Sequence, residues 1–563
     1  MSSRRATLAF AALAAVAVAA AAAACGPGGP RRVGGQPSWR AGDGDGSGSA
    51  RVVSNEPIEL APASPAVASY NDPPRTPAPA SPLGDAVVSE VTALAISASL
   101  AVPVADGRLF EAARQIATVV PAEGVIPYPL VEFALQHNGI VEPSPHLLVV
   151  WGPADDPNLI VEQLRPRLIE ALETDPIARI GVGAARRDGG DVVVVALQTS
   201  YVELAPVPRR LAAGERVMLA GRIHGAFKDP EVYVTRDDGS VERLAMRAME
   251  GGRIAAEMSC SGRRGRQQVE ITASDATGST VLANFPVWCD EAPPTRITAR
   301  VAEDDVEPVK TVADAEARML VLVNRDRAAA NLPLLQPDAR VAAVARAHSR
   351  EMRVTGVVGH VSATTGTAAD RVKVASIKTG LVLENIARAY GIAEAQAGLM
   401  NSPGHRANLL SRSATHVGIG IELGEEVANR RELFVTQVFI RIPPPVDPVL
   451  AQTRVREQLR AAGKFADDAA LDRIATVYAQ GLATGVPQAD AAKRASRELD
   501  NVAAKFTRVA SMVTAISDVE AVDAQAFLGG APHTHVGIGV AQGDHPDLGP
   551  GALHVVVLLA VAR

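Results

Sequence analysis

Three side chains in the second half of this sequence are of types that do chemistry when they meet. His360 follows a glycine in a loop-like stretch, Glu384 stands in Leu383-Glu384-Asn385, and His405 stands in Ser402-Pro403-Gly404-His405. Imidazole is the side chain that titrates nearest neutrality, so His360 or His405 is a candidate general base with Glu384 to orient it. The same three residues could also hold zinc or another divalent cation, with water filling the open positions and activated there for hydrolysis. Asn385 and Ser402 adjoin them as further hydrogen-bonding groups. The alternative is that the three only hydrogen-bond one another and the nearby loops. No serine or cysteine stands out as a nucleophile. Ser349 adjoins His348, but neighbours on a helix point about 100° apart and do not form a nucleophile–base pair.

Two helices and a closing hairpin must position these residues. LVLVNRDRAAANLPLL and DARVAAVARAHSREM are helix-patterned, and THVGIGI and LFVTQVFI read as paired strands. Val341, Ala345, His348 and Met352 fall on one apolar stripe, which makes His348 a buried structural histidine rather than a ligand. Asn331 ends the first helix, where a left-handed residue is wanted. Arg371 and Arg406 could orient anionic groups, although solvated surface arginines are the default.

The order and wording of these motifs resemble the superfamily of cysteine-rich secretory proteins, antigen 5 and pathogenesis-related 1 proteins (the CAP or SCP domain), in its bacterial form. The resemblance implies an α+β fold, a CAP-type αβα sandwich over residues 310–442. It also implies a cleft in which two His and two Glu can hold a divalent cation. His360, Glu384 and His405 match three of those four positions. Leu383 replaces the family Gly before the Glu, and Leu399-Met400-Asn401-Ser402 stands where the family carries its second Glu. The resemblance therefore implies a cleft that binds a lipid, glycan or protein partner better than it implies a reaction.

The HVGIG of residues 416–420 recurs as HVGIG at 535–539, again followed by an apolar strand, and helix patterns precede both. A third ending, RIGVG then DVVVVALQ, has Gly189-Gly190 at its turn. We expect degenerate CAP-like copies at 84–204 and 447–563; for the earlier one, chance similarity between hairpins is the alternative. Between the first two lies 205–295, short alternating strands with Asp238-Gly239 at a turn, read as an inserted all-β sandwich, Ig-like in plan, with no catalytic cluster. The last copy has nothing matching His360, Glu384 or His405. Its His533, His535 and His545 fit no metal spacing.

With 563 residues the chain is too long for one core. A net charge of −6 and 3% aromatic residues argue against a nucleic-acid partner. Residues 1–25 read as an export signal ending at Cys25. Its small residues before a Cys resemble a lipoprotein signal, which implies lipidation at Cys25 and a membrane anchor; plain secretion is the alternative. Residues 26–83, rich in Gly and Pro, read as a disordered tether. Cys260 and Cys289 then remain, most simply as a disulfide, otherwise as two buried thiols. Three functions follow: an exported CAP-domain binding protein, a metal-assisted hydrolase or peptidase using His360, Glu384 and His405, or a structural surface lipoprotein.

Overall fold

Three short strands, each followed at once by an aspartate, set out the architecture. They are Val104–Ala105 before Asp106, Gln336–Pro337 before Asp338, and Ala466–Asp467 before Asp468. Each Asp side chain accepts from backbone N–H groups of the next turn, satisfying donors that have no partner within the helix. The helices so started are Gly107–Ala117, Ala339–Thr355 and Ala469–Ala483. The computed structural model describes residues 56–563 except 74–75, 122–125, 188–189, 247–251, 261–263, 303–304, 306–308, 428–429, 443–444 and 530. The signal, Cys25 and the tether as far as residue 55 lie outside the described residues, as does most of the turn expected at Gly189-Gly190.

Each short strand pairs in parallel with the first arm of a hairpin. The second arm pairs with a lone antiparallel strand. The lone strands are His146–Trp151, Val382–Ala389 and Phe506–Ile516, and the hairpins are 179–198, 416–440 and 535–562. All three sheets have this order, and their registers coincide. Gly181, Gly418 and Gly537 face Ala196, Val438 and Leu558, which in turn face Leu147, Glu384 and Ser511. The Gly-x-Gly in each first arm has a steric cause. A Cβ on Gly181 or Gly183, Gly418 or Gly420, Gly537 or Gly539 would overlap the Asp-capped helix lying across the strand. Only hydrogen at those positions lets helix and sheet come this close. In the middle unit, helices Val312–Ala329 and Ile392–Asn401 cover one sheet face through Met319, Leu322 and Leu399, and Val341 and Val344 cover the other. The fold is α+β.

The 205–295 segment forms two antiparallel-rich sheets around Leu219, Val232, Ile271 and Phe285. Cys260 and Cys289, both fully buried, are joined as a disulfide. Gly239 takes φ +79° in the turn after Thr235. Asn331 takes φ +55° at the end of its helix, as its position predicted.

The tether expected as far as residue 83 is shorter on its described side. Ile58–Leu60 pairs antiparallel with Ile297–Ala299, so Ile58 faces Ala299 and Leu60 faces Ile297. Tyr70 is fully buried, 4.8 Å from Phe285 between ring centroids, and its hydroxyl donates to the Pro286 carbonyl at 2.8 Å. A few apolar residues in a Pro-rich stretch are enough to hold it when the sandwich offers a site. Composition averaged over the stretch hides them.

Candidate functional site

His360 lies in the loop that follows helix Ala339–Thr355, after Gly356 ends that helix at φ +69°. Glu384 is the third residue of the lone strand Val382–Ala389. Strand and loop bring the two together, and His360 Nδ1 sits 3.0 Å from Glu384 Oε1. The other carboxylate oxygen accepts from Arg371 Nη2 at 2.5 Å. Arg371, on the short helix Ala368–Val374, is itself buried and also donates to the Gly366 carbonyl at 2.6 Å and the His360 carbonyl at 3.3 Å. Burial alone would raise the pKa of Glu384. The Arg371 charge and the His360 hydrogen bond outweigh it and bring the value down to about 2. The default reading of Arg371 as a solvated surface residue is corrected: it is the counter-ion of the cleft.

His405 arrives from the other side. Ser402 caps helix Pro403–Leu409, accepting from the His405 backbone N–H, and its Oγ lies 2.7 Å from His405 Nδ1. The two imidazole rings stand 6.1 Å apart at an interplanar angle of 30°. Part of His405 reaches solvent. Even so, burial first and the neighbouring His360 second push its pKa down to about 3, which keeps the ring neutral.

Asn385 is placed differently from the expectation. Successive strand residues face opposite sides, so it turns away from Glu384 and is fully buried. Its Nδ2 donates to the His405 carbonyl at 3.1 Å, and its Oδ1 accepts from Asn408 at 3.0 Å. It fixes the helix that carries His405 and does not line the cleft. His348 is buried as expected, with Nε2 2.9 Å from the Gly359 carbonyl.

The cleft is not an open face. The sandwich hairpin formed by Gly265–Asp275 and Gly278–Cys289 lies across it. Val361 N–H donates to the Thr277 carbonyl at 2.8 Å, Gly404 N–H to Glu270 Oε1 at 2.8 Å, and Arg406 Nε to the Gly239 carbonyl at 3.0 Å. Gly278, at φ +128°, has no room for a Cβ because His360 is against it. Glu270 is wholly buried, and burial lifts its pKa to about 7 despite Ser402 beside it and the Gly404 N–H. Ser402 stabilises the charge of Glu270, yet Glu270 Oε2 has no hydrogen bond of good geometry, so that oxygen is open to a proton. Sequence reasoning placed no functional residue in the sandwich. Gln268, Glu270 and Thr272 alternate along one strand face, a pattern that solvent and a domain interface produce alike.

A divalent cation does not fit these residues as they stand. Both oxygens of Glu384 are engaged, one of them by a guanidinium that already supplies positive charge. Among the described residues no three His, Cys, Asp or Glu side chains are grouped to share a metal. A Ser402–His405 pair at 2.7 Å has nucleophile–base spacing. Here, however, the acid stands beside the serine and not behind the histidine, and a ring with pKa near 3 is a weak base.

Residues 320–439 match the model of the cysteine-rich secretory protein family, CAP. Among curated proteins, YkwD of Bacillus subtilis is 32% identical over 124 residues, which is 22% of this chain and 48% of that protein. YlbC, a membrane protein of Bacillus subtilis, is 34% identical over 122 residues, 22% of this chain and 35% of that one. The chain thus spans less than half the length of either relative. Among solved structures, an extracellular SCP-domain protein of Bacillus anthracis is 24% identical at a TM-score of 0.21, covering 35% of this chain and 68% of that one. A cysteine-rich secretory protein of Staphylococcus aureus is 12% identical at a TM-score of 0.20, covering 44% of this chain and 81% of that one.

Proposed function

We propose that this chain, whose residues 320–439 are a CAP domain of the cysteine-rich secretory protein family, is an exported protein that works by binding. Its cleft is a recognition surface for polypeptide. The observation that carries this reading is the engagement of Glu384 through both oxygens. Each oxygen of that carboxylate already has a partner, and the Arg371 charge beside it makes it a poor base toward water and a poor ligand for a cation. The groups lying against the cleft are backbone and carboxylate groups of the sandwich. They favour a protein partner over the lipid or glycan that the family resemblance also allows. The Cys260–Cys289 disulfide supports export, since such bonds persist in oxidising compartments. No helix among the described residues is long and apolar enough to cross a membrane.

A panel of peptidase and ester substrates offered to the full chain is expected to give no rate above that of the Glu384→Ala variant. A rate that falls on that substitution would replace binding by hydrolysis. Zinc titrated into the full chain should give the same heat for the wild type, His360→Ala and His405→Ala; a difference among the three would restore the metal reading. Anchoring at Cys25 completes the proposal. Radiolabelled palmitate should enter the wild type but not Cys25→Ser, and equal labelling would leave plain secretion.

A further inference from the structure

Strand Gly265–Asp275 turns Val269, Ile271 and Ala273 into the sandwich core and Gln268, Glu270 and Thr272 the other way. An outward face is ordinarily wet. All three of these side chains are nevertheless buried, and helix Pro403–Leu409 of the middle unit lies against their strand. The hairpin tip is seated as closely. A Cβ on Gly278 would stand 2.7 Å from the His360 Cβ, and one on Gly359 would stand 3.0 Å from the Thr277 Cβ. Each surface therefore accepts the other only through a glycine hydrogen.

The seam so formed is polar. Beside the contacts of Val361, Gly404 and Arg406 described above, Arg266 Nη2 donates to Asn401 Oδ1 at 2.9 Å and Asn284 Nδ2 to the Asn401 carbonyl at 3.4 Å. Among the described residues no apolar core is shared across it. The sandwich core extends to Tyr70 and Val141, which precede it in the chain, and the cores of the middle unit close on themselves. Glu270 Oε2 and Thr272 Oγ1 are buried on the sandwich side without a hydrogen bond of good geometry. Opening the seam would return both oxygens to water and recover their desolvation cost. Interfaces within a chain that lack a large apolar core resemble those of transient complexes.

We propose that the Gly265–Cys289 hairpin is a displaceable cover, seated in the cleft as a ligand in cis, and that the cleft's partner in trans is a polypeptide turn of the same make. Such a turn carries a glycine at its tip and, just before it, a carbonyl that accepts the Val361 N–H. A carboxylate on the strand leading in accepts the Gly404 N–H. The inference rests on the polypeptide-binding reading of the cleft and adds the partner's chemistry and its regulation. The chain from Asp290 to Thr311 tethers the cover to the middle unit, so the hairpin competes at an effective concentration on the order of millimolar. An outside turn binds well only where the seam has opened.

The test uses full chains only, with a second copy as the probe. Thr277 lies at the hairpin tip against Gly359, so Thr277→Arg should unseat the hairpin and leave the sandwich core intact. Gly359→Val blocks the cleft instead and frees the hairpin. Hydrogen exchange at the Val361 and Gly404 amides should quicken by about tenfold or more in Thr277→Arg, as local opening without unfolding requires. Arg406→Ala, which removes the Gly239 contact, should act in the same direction and replaces Thr277→Arg if that chain loses its circular dichroism. Adding the Gly359→Val chain, distinguished by isotope labelling, should restore protection to Thr277→Arg in an equimolar complex. Wild type, its hairpin already engaged, should need about ten times the concentration or more. Unchanged exchange in the opened variants, protection that no second chain restores, or wild type acting as well as Gly359→Val would each overturn the proposal and leave the binding reading standing. The peptidase and ester panel repeated on Thr277→Arg tests that reading separately. A rate that appears on opening and is lost with Glu384→Ala would end it while the cover remained.

Discussion

The middle and last αβ units are built on one plan and part at the position where the middle unit carries its buried carboxylate. Both start their second helix from an Asp cap, both lay that helix on a Gly-x-Gly strand, and both have the same strand order and register. Where the middle unit carries Glu384 the last carries Ser511, and the first carries Leu147. Two of the three units therefore close the same sheet without a charged residue at this position; the buried pairs of the first unit, Asp106 with Arg108 and Arg179, stand at the helix cap instead. The glycines and caps are what the sheet requires. The Glu384–Arg371–His360 cluster is an addition, and an expensive one, because removing charges from water costs several kcal/mol before the pair recovers any of it. Such a cluster is better explained by the surface it shapes than by the fold it sits in.

The comparison can be broken most forcefully at Arg371. Arg371→Met strands the Glu384 carboxylate and is expected to cost about 3–5 kcal/mol, the range for removing one partner of a buried pair. Hydrogen exchange read over residues 355–410 would show it; unchanged protection there would mean the pair is not a structural unit. Next in size is the pH response of the sandwich contact. Because burial raises Glu270 from its ordinary 4.5 to about 7, the folded state holds this proton more tightly than the unfolded one. Its contribution is complete below about 4.5 and lost as pH rises through 7, a change of about 3 kcal/mol. Glu270→Gln should flatten protection of residues 400–410 across that window, and a slope as steep as the wild type's would assign it to another group. Smaller again, Gly183→Ala, Gly420→Ala and Gly539→Ala should each destabilise their own unit by about 1–3 kcal/mol, the usual cost of overpacking. A unit that tolerates the change would fall outside the shared plan. The smallest effect belongs to Ser511→Ala, expected within about 1 kcal/mol in urea unfolding followed by far-ultraviolet circular dichroism.

Much of the scaffold was legible in the sequence for a simple reason. Gly-x-Gly ahead of an apolar strand, and an Asp ahead of a helical stripe, are local necessities, and they recur wherever the unit recurs. His360, Glu384 and His405 were legible through their motif neighbours, and they do converge. Arg371 was not, because an arginine on a short polar helix is written the same way whether it faces water or a carboxylate. Glu270 was not, since its partners Ser402 and Gly404 lie more than a hundred residues downstream. Asn385 was assigned to the cleft by adjacency to Glu384, and strand alternation sends it to the other side.

The short ladder between Ile58–Leu60 and Ile297–Ala299 has a mechanical consequence. Ile58 lies opposite Ala299, so the incoming chain and the chain leaving for the middle αβ unit depart from the same end of the clasp. Tension between them would open the rungs one after another, as a zipper, rather than shear them together. The first unit and the sandwich hang inside that loop and would be loaded only after it had let go.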